Sequence, residues 1–360
     1  MQKDRFEVTV KAVAQKAGVS TSTAARVLGN YGAVSDAMKE KVRNAARDLN
    51  YVPNALARSL ITLQTHTIGL VVPDIRNTFF GTVARSVEQV AKNSGYRVFM
   101  CDTDGDFGLE TDYLQDLFER RVDGIILASS ASSGYSHELI ARSPIPVVLI
   151  DRSVKGVKLD CVRTNHEQGA YIASKHLIGL GHGRIGIVLG TGEESVHRER
   201  LSGYRYALDE AGICFDEALV KRRDWSKGLE AVDELLQERP RPTAIFTTNN
   251  VVTVGVLSDL KRLSLRVPDN MAIVAFDDLD VGFLLESPLT VIKQNPSLIG
   301  RTSMELLLQR LERLGGEEGN LPPQEVIMQP TLTVRASCGS GPGFVQDRAC
   351  LEKGATYGEY

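Results

Sequence analysis

Thr21, Ser22, Thr23 and Arg26 fall within six consecutive positions, three hydroxyls and one guanidinium on a segment whose spacing predicts a single short helix. Short hydroxyl side chains reach base edges and phosphate oxygens, and an arginine fork matches the paired acceptors of guanine in the major groove. A solvated polar face would use the same residue types. A second polar set closes a series of short apolar runs: Asp74, Asp102, Asp151, Asn249, Asn250, Asp277 and Asp278. Ligands of doubly wound sheets bind beyond the carboxyl ends of the strands, where such residues collect. Other suggestive patterns fail on context. Gly181-His-Gly183-Arg-Ile-Gly186 runs from a helix end into a strand, the reverse of what a dinucleotide needs. Asp102-Thr-Asp104-Gly-Asp106 opens like a calcium loop, but Tyr113 stands where the twelfth-position glutamate belongs. His66, His137, His166, His176, His182 and His197 show no HExxH spacing, and there is no GxSxG elbow or P-loop. Nothing here demands catalysis; no cofactor and no metal are expected.

Stepping out from Arg26, the segment from Thr9 places Val10, Val13, Ala14, Ala17, Val19, Ala24, Val27 and Leu28 at helical spacings interrupted by Gly18. This predicts two short helices and a tight turn, with Thr9 and Ser20 as N-caps. A third amphipathic stretch follows Ser35, with Met38, Val42, Ala45 and Leu49 on its apolar face. Three short helices of this kind suit a helix-turn-helix head, or a generic three-helix unit with a polar face. Next, in NYVPNALARSL, Pro53 stops one element and Asn54 caps a helix of about seven residues, below the roughly 12–15 needed for even marginal stability in water. It is expected to fold against its twin in a second subunit and against DNA; Leu56 and Leu60 lie four apart on one face, so one can pack on the twin while the other meets the minor groove.

Charge divides along the chain in the same way. Residues 1–60 carry 10 Lys/Arg against 5 Asp/Glu and the remainder 32 against 40, so a net charge of −3 conceals a +5 head and a −8 body. The asymmetry suggests a polyanionic partner for the head alone; a solvated basic face without a partner is the alternative. No apolar run approaches the roughly 20 residues that span a bilayer, and the N-terminus MQKDRFEVTVKAVAQ lacks the apolar core of a secretory signal. Five scattered cysteines without a CxxC pair read as reduced thiols. A cytoplasmic protein without a membrane partner is expected.

From Ile68 the runs IGLVVP, YRVFMCDT, DGIILAS, PVVLIDR, RIGIVLG, TAIFTTN and MAIVAFDD alternate with amphipathic helices, the pattern of buried parallel strands in βαβ units. They fall into two groups, which predicts two doubly wound lobes with a ligand cleft between them.

The segments VKAVAQKAGVSTSTAARVL and AVSDAMKEKVRNAARDLNYVPNALARSL resemble the head and hinge of the lactose-repressor (LacI/GalR) family. The resemblance continues to about Arg335 through VPDIRNTFF, RRVDGIILAS, IPVVLIDR, HLIGLGHGRIGIVLG, RPTAIFTTNN, VPDNMAIVAFDD and TVIKQ. It implies an all-α helix-turn-helix head on an α/β body like the periplasmic binding proteins, with three chain crossings between the lobes. The expected divisions are a head at 1–52, a hinge at 53–66, a sensing and dimerisation body at 67–336, and a tail from Ser337 to Tyr360. Within the body the first lobe would comprise about 67–166 and 294–323.

By the same resemblance Thr21, Ser22 and Arg26 read bases and Leu60 is the wedge. The full DNA-contacting set is Thr9, Ser20, Thr21, Ser22, Thr23, Arg26, Asn30, Asn54, Ala57 and Leu60. Effector contacts fall on Phe79, Phe80, Asp151, Arg200, Trp225, Asn249 and Asp277. That set suits a polar ring ligand: carboxylates and an amide for vicinal hydroxyls, a guanidinium fork, and an aromatic face. Core packing is the alternative for the aromatics, and a surface ion pair or helix cap for Arg200 and Asp277. The chain departs from the family at Ala12, Ala24-Ala25 and Gly29, and has Asn250 where Asp is usual. The implied function is an operator-binding repressor, a homodimer, controlled by a small effector of carbohydrate type. A solute-binding protein or small-molecule enzyme on the same body, or a nucleobase corepressor, is the alternative.

Overall fold

A computed structural model describes residues 8–29, 32–52, 64–130, 135–191, 195–223, 230–313 and 322–339. The chain divides into two units, Met1–His66 and Thr67–Tyr360.

The first unit holds α1 (Val10–Ala17), α2 (Thr21–Gly29) and α3 (Asp36–Asp48) around a core of Val13, Ala14, Ala24, Val27, Val42, Ala45 and Ala46. Thr9 Oγ1 accepts from Ala12 N at 3.3 Å and Ser20 Oγ from Thr23 N at 3.0 Å, so both hydroxyls cap otherwise orphan amides. Gly18, at φ 67°, ends α1 in the left-handed conformation that permits the sharp turn into α2. Met38, expected in the core, is exposed, and Ala46 takes its place because α3 turns that face inward.

The second unit contains two α/β lobes. In the first, β1 (Thr67–Val72), α4 (Thr78–Asn93), β2 (Arg97–Asp102), α5 (Phe107–Glu119), β3 (Gly124–Leu127), α6 (Tyr135–Ala141), β4 (Val147–Ile150) and β5 (Asp160–Thr164) follow in sequence. In the second come α7 (His166–Gly179), β6 (Ile185–Leu189), α8 (Ser195–Glu210), β7 (Val220–Arg222), α9 (Ala231–Gln237), β8 (Ala244–Thr247), α10 (Asn250–Arg262), β9 (Ala272–Phe276) and β10 (Thr290–Lys293). The chain then returns to the first lobe as α11 (Pro296–Arg313) and β11 (Glu325–Met328), and crosses again to β12 (Thr331–Thr333). Three crossings result, as the resemblance implies, but the first lobe's return runs to Met328 instead of 323, because β11 completes its sheet beside β5.

The sheets have strand orders β11-β5-β4-β3-β1-β2 and β12-β10-β9-β8-β6-β7. Substituting each strand of one sheet by its counterpart gives the other, so the lobes are topological twins; only β12 runs antiparallel to its neighbour. Central strands are buried along their length, as β-branched runs covered on both faces must be. The run at β2 departs from that expectation: it is an edge strand with Phe99 48 % and Met100 37 % exposed. The tail also starts later than expected. Ser337 and Cys338 are buried, with Ser337 Oγ donating to Ile273 O at 2.7 Å and accepting from Thr290 N at 2.8 Å.

Candidate functional site

On α2 the exposed positions are Thr21, Ser22 and Arg26, while Ala24 and Val27 face the core. The hydroxyl of Thr23 is half-buried and shares a 2.8 Å bond with Ser20 Oγ, so it contributes to the cap as well as to the face. The Arg26 stem passes Gly32, whose left-handed φ of 76° and lack of a Cβ leave it room. Cap, turn and core therefore fix a short helix with two hydroxyls and a guanidinium outward. Thr9 is exposed with its oxygen used by α1. Asn30, Asn54, Ala57 and Leu60 lie outside the described residues, as does Trp225 of the effector set.

Between the lobes lies a cleft of about 470 Å³ lined by both. Its volume falls in the range of roughly 300–1,000 Å³ usual for small-molecule sites. The walls are built at strand ends. Asp151 follows β4 and Asp277 follows β9, the corresponding strand of the other lobe. Each amide donates to the next strand, Asp151 N to Val162 O at 3.0 Å and Asp277 N to Ile292 O at 2.9 Å. Each backbone is left-handed, φ 63° and 72°, which aspartate tolerates better than most residues. The lobes thus present a matched pair of buried carboxylates to one cavity.

Their electrostatics differ. Burial pushes the Asp277 carboxyl up; Arg200 nearby and a 2.7 Å bond from Gln294 Nε2 oppose the shift without cancelling it. Burial also works against Asp151, but its hydrogen bond from His166 and the surrounding positive charge, that of Arg152 and Arg200 included, prevail and hold it below the usual carboxylate range. Arg200, 4 % exposed, stacks its guanidinium 3.9 Å above the Phe276 ring, donates through Nη1 to Thr248 O, and donates through Nη2 to His166 Nδ1 at 3.1 Å. Its Nε has no partner, and among the described residues it forms no ion pair; burial pulls its pKa down while Asp277 and Asp151 push back. It stays a cation, and one incompletely matched.

Asn249 caps α10, accepting from Val252 N at 2.8 Å, which leaves its amide Nδ2 as a donor. Asn250 spans the cleft: its Nδ2 donates to Thr78 Oγ1 at 3.2 Å and Asn77 Oδ1 at 3.4 Å on the opposite lobe. Phe79 and Phe80, with rings edge-to-face at 5.0 Å, belong to the first lobe's core and also border the cleft. The core-packing reading of these aromatics therefore holds, and both also line the cleft.

Not every strand-end residue converges. Asp278 turns away to a paired contact with Arg335 at 2.9 and 2.6 Å, and Asp102 caps the amide of Asp104 at 3.2 Å. Asp106 caps α5, and among the described residues no cluster of His, Cys, Asp or Glu could hold a metal. The glycines at 181–186 form the stop after α7 and lead into β6, with Gly181 at φ 91°. Gln294, His166 and Arg152 are site residues that the sequence reading missed. Gln294 sits directly after β10 and His166 two residues after β5, a position-after-strand signal like the one that exposed Asp277.

Two family models match. Residues 9–54 match "Bacterial regulatory proteins, lacI family" and residues 65–327 match "Periplasmic binding proteins and sugar binding domain of LacI family". A relative, the HTH-type transcriptional repressor PurR of Photobacterium profundum, is 36% identical over 332 residues, 91% of this chain and 98% of its own length. The lac repressor dimer bound to operator and the anti-inducer ONPF superposes with a TM-score of 0.79 at 26% identity, covering 92% of this chain and 98% of that one. The transcriptional regulator CelR in complex with cellobiose gives 0.69 at 28%, covering 91% and 99%. The relatives are transcriptional regulators.

Proposed function

The chain belongs to the LacI family of bacterial regulatory proteins, DNA-binding repressors governed by small effectors, and from that premise we propose which residues read the operator and which hold the effector. A homodimer presents two copies of α2 to two half-sites in successive major grooves, with Thr21, Ser22 and Arg26 toward the bases and Thr9, Ser20, Thr23 and Asn30 toward the backbone. Asn54 and Ala57 belong to the hinge contact, and Leu60 is its minor-groove wedge. The protein works in the cytoplasm and carries out no chemistry on its effector.

The effector is a small neutral polyol of the carbohydrate type, held by Asp151, Arg200, Asn249 and Asp277 with Phe79, Phe80 and Trp225 on its apolar faces. One observation carries this reading. The cleft sets two buried carboxylates, pure acceptors, against the guanidinium of Arg200 and the amide of Asn249, both donors. A hydroxyl both donates and accepts, so adjacent hydroxyls on a ring satisfy such an alternating set, and each charge-assisted bond is worth roughly 1.5–3 kcal/mol. Ligand binding reaches DNA only through unequal affinity for two lobe arrangements, and a hundredfold change in operator affinity needs about 2.7 kcal/mol of coupling.

A thermal-shift panel of neutral sugars, sugar phosphates and nucleobases tests the class; a ligand at 100 times its Kd stabilises by about 2.7 kcal/mol. Neutral sugars should give the largest shifts, and a response confined to nucleobases would replace the carbohydrate reading with a corepressor of that type. Operator selection followed by footprinting should return two matching half-sites, and full affinity for one isolated half-site would contradict the dimeric reading.

A further inference from the structure

His166 is fully buried at the first residue of α7, just past the first crossing between lobes. Its ring touches both of them. Nε2 lies 2.9 Å from the main-chain oxygen of Asp151 and 3.4 Å from Asp151 Oδ1, while Nδ1 lies 3.1 Å from Arg200 Nη2. A guanidinium can only donate, so Nδ1 must accept, the proton must sit on Nε2, and Nε2 donates to Asp151 O. The ring also packs 5.8 Å from Phe276, the face on which Arg200 stacks, and Phe276 is followed directly by Asp277. One neutral imidazole therefore joins the left-handed aspartate of the first lobe to the guanidinium of the second.

The backbone makes this meeting possible. A Cβ at Gly203 would come 2.0 Å from Glu167 O, so α8 approaches α7 more closely than any other residue would allow there. That approach brings Arg200, one turn earlier on α8, to the N-terminal end of α7.

We infer that His166 is a positioning residue of the effector site: as a neutral Nε2–H imidazole it holds the Arg200 guanidinium over Phe276 and ties that arrangement to Asp151 across the cleft. The inference rests on the effector reading for its function, but not for its geometry. Removing the ring nitrogens leaves Arg200, which forms no ion pair among the described residues, with Thr248 O as its remaining hydrogen-bond acceptor. The guanidinium then turns into the cavity to be hydrated, and Asp151 is freed from the second lobe.

Crystal structures of the full-length ligand-free protein test the positioning directly. His166→Asn can return an acceptor, Oδ1, close to the place of Nδ1; His166→Phe keeps the packing on Phe276 and returns neither bond. Arg200 should stay over the Phe276 ring in the Asn variant and leave it in the Phe variant. If the Phe variant does not fold, His166→Leu, which also offers no acceptor toward Arg200, should show the same displacement. An Arg200 that keeps its place in the Phe or Leu variant overturns the inference.

Thermal shifts with cellobiose, D-ribose and adenine add a functional readout. A probe that stabilises the wild type should bind His166→Phe at least tenfold more weakly and His166→Asn with most of its affinity. Binding lost in Asp277→Asn but intact in His166→Phe would refute the role of His166 and leave the site standing. Binding intact in both variants would refute the site itself.

Discussion

Replacing Asp277 by asparagine removes a charge from the effector cleft while keeping the shape of the residue. Three features of the site limit the cost to the fold. Asparagine tolerates the left-handed φ of 72°, so the backbone is not strained. Gln294, whose Nε2 now donates to Asp277 at 2.7 Å and whose Oε1 is buried without a partner, can turn its amide over and accept from the new Nδ2. The carboxyl of Asp277 is pushed up by burial, which means that its ionised form costs stability at neutral pH; the substitution lifts that cost while removing a counter-charge from Arg200. These effects oppose each other, and the net change in unfolding free energy should be small.

Effector binding has no such compensation. Losing one charge-assisted hydrogen bond worth roughly 1.5–3 kcal/mol weakens binding by about 10- to 150-fold. Isothermal titration with the neutral sugar that most stabilises the wild type measures this, and fluorescence anisotropy of ligand-free protein on its operator should remain unchanged. The same carboxylate fixes a pH dependence. Only the ionised form gives a hydroxyl the stronger, charge-assisted bond, so binding should be constant at neutral pH and weaken as pH falls through the raised value of Asp277. Asp151, held low, stays ionised across that window. Asp277→Asn should abolish the dependence. Unaltered sugar affinity in the variant, or an acid-side loss that persists in it, would refute the assignment of Asp277.

Arg26→Ala, which removes the guanidinium from the exposed face of α2, should cost about 1–3 kcal/mol of operator affinity and relax the preference at one base pair of each half-site, read by competition with single-base operator variants. Ser20→Ala removes the bond to Thr23 N at 3.0 Å and should lower the stability of the head by about 1 kcal/mol, read as the midpoint of its denaturant unfolding. Asn250→Asp takes away the donor that bridges to Asn77 and Thr78, so the ligand-free lobes should separate, visible as longer distances between spin labels placed on the two lobes. Gly203→Ala drives a Cβ to within 2.0 Å of Glu167 O; it should lower the melting temperature and weaken sugar binding together, because α8 carries Arg200.

Local chemistry made much of this protein legible in its sequence. Gly18 between two helical patterns, hydroxyls at Thr9 and Ser20, and outward Thr21, Ser22 and Arg26 define the head because caps, turns and faces depend on residues three or four apart. Apolar runs bounded by Asp or Asn located the strands and the residues at their ends, since a buried parallel strand needs no alternation. What the sequence could not decide is which of those end residues share a cavity. Asp278 differs from Asp277 by one position, yet it pairs with Arg335, 57 residues away, while Asp277 faces the cleft. The edge exposure of β2 and the placement of β11 beside β5 follow from strand order, which no local pattern encodes. His166 shows the limit most clearly. As a residue it is one of six histidines without a motif; only the crossing of the chain between lobes and the close approach at Gly203 bring its two nitrogens between Asp151 and Arg200. Spacing along the chain sets what each residue can do locally, whereas partners drawn from distant segments are chosen by the packing of the lobes.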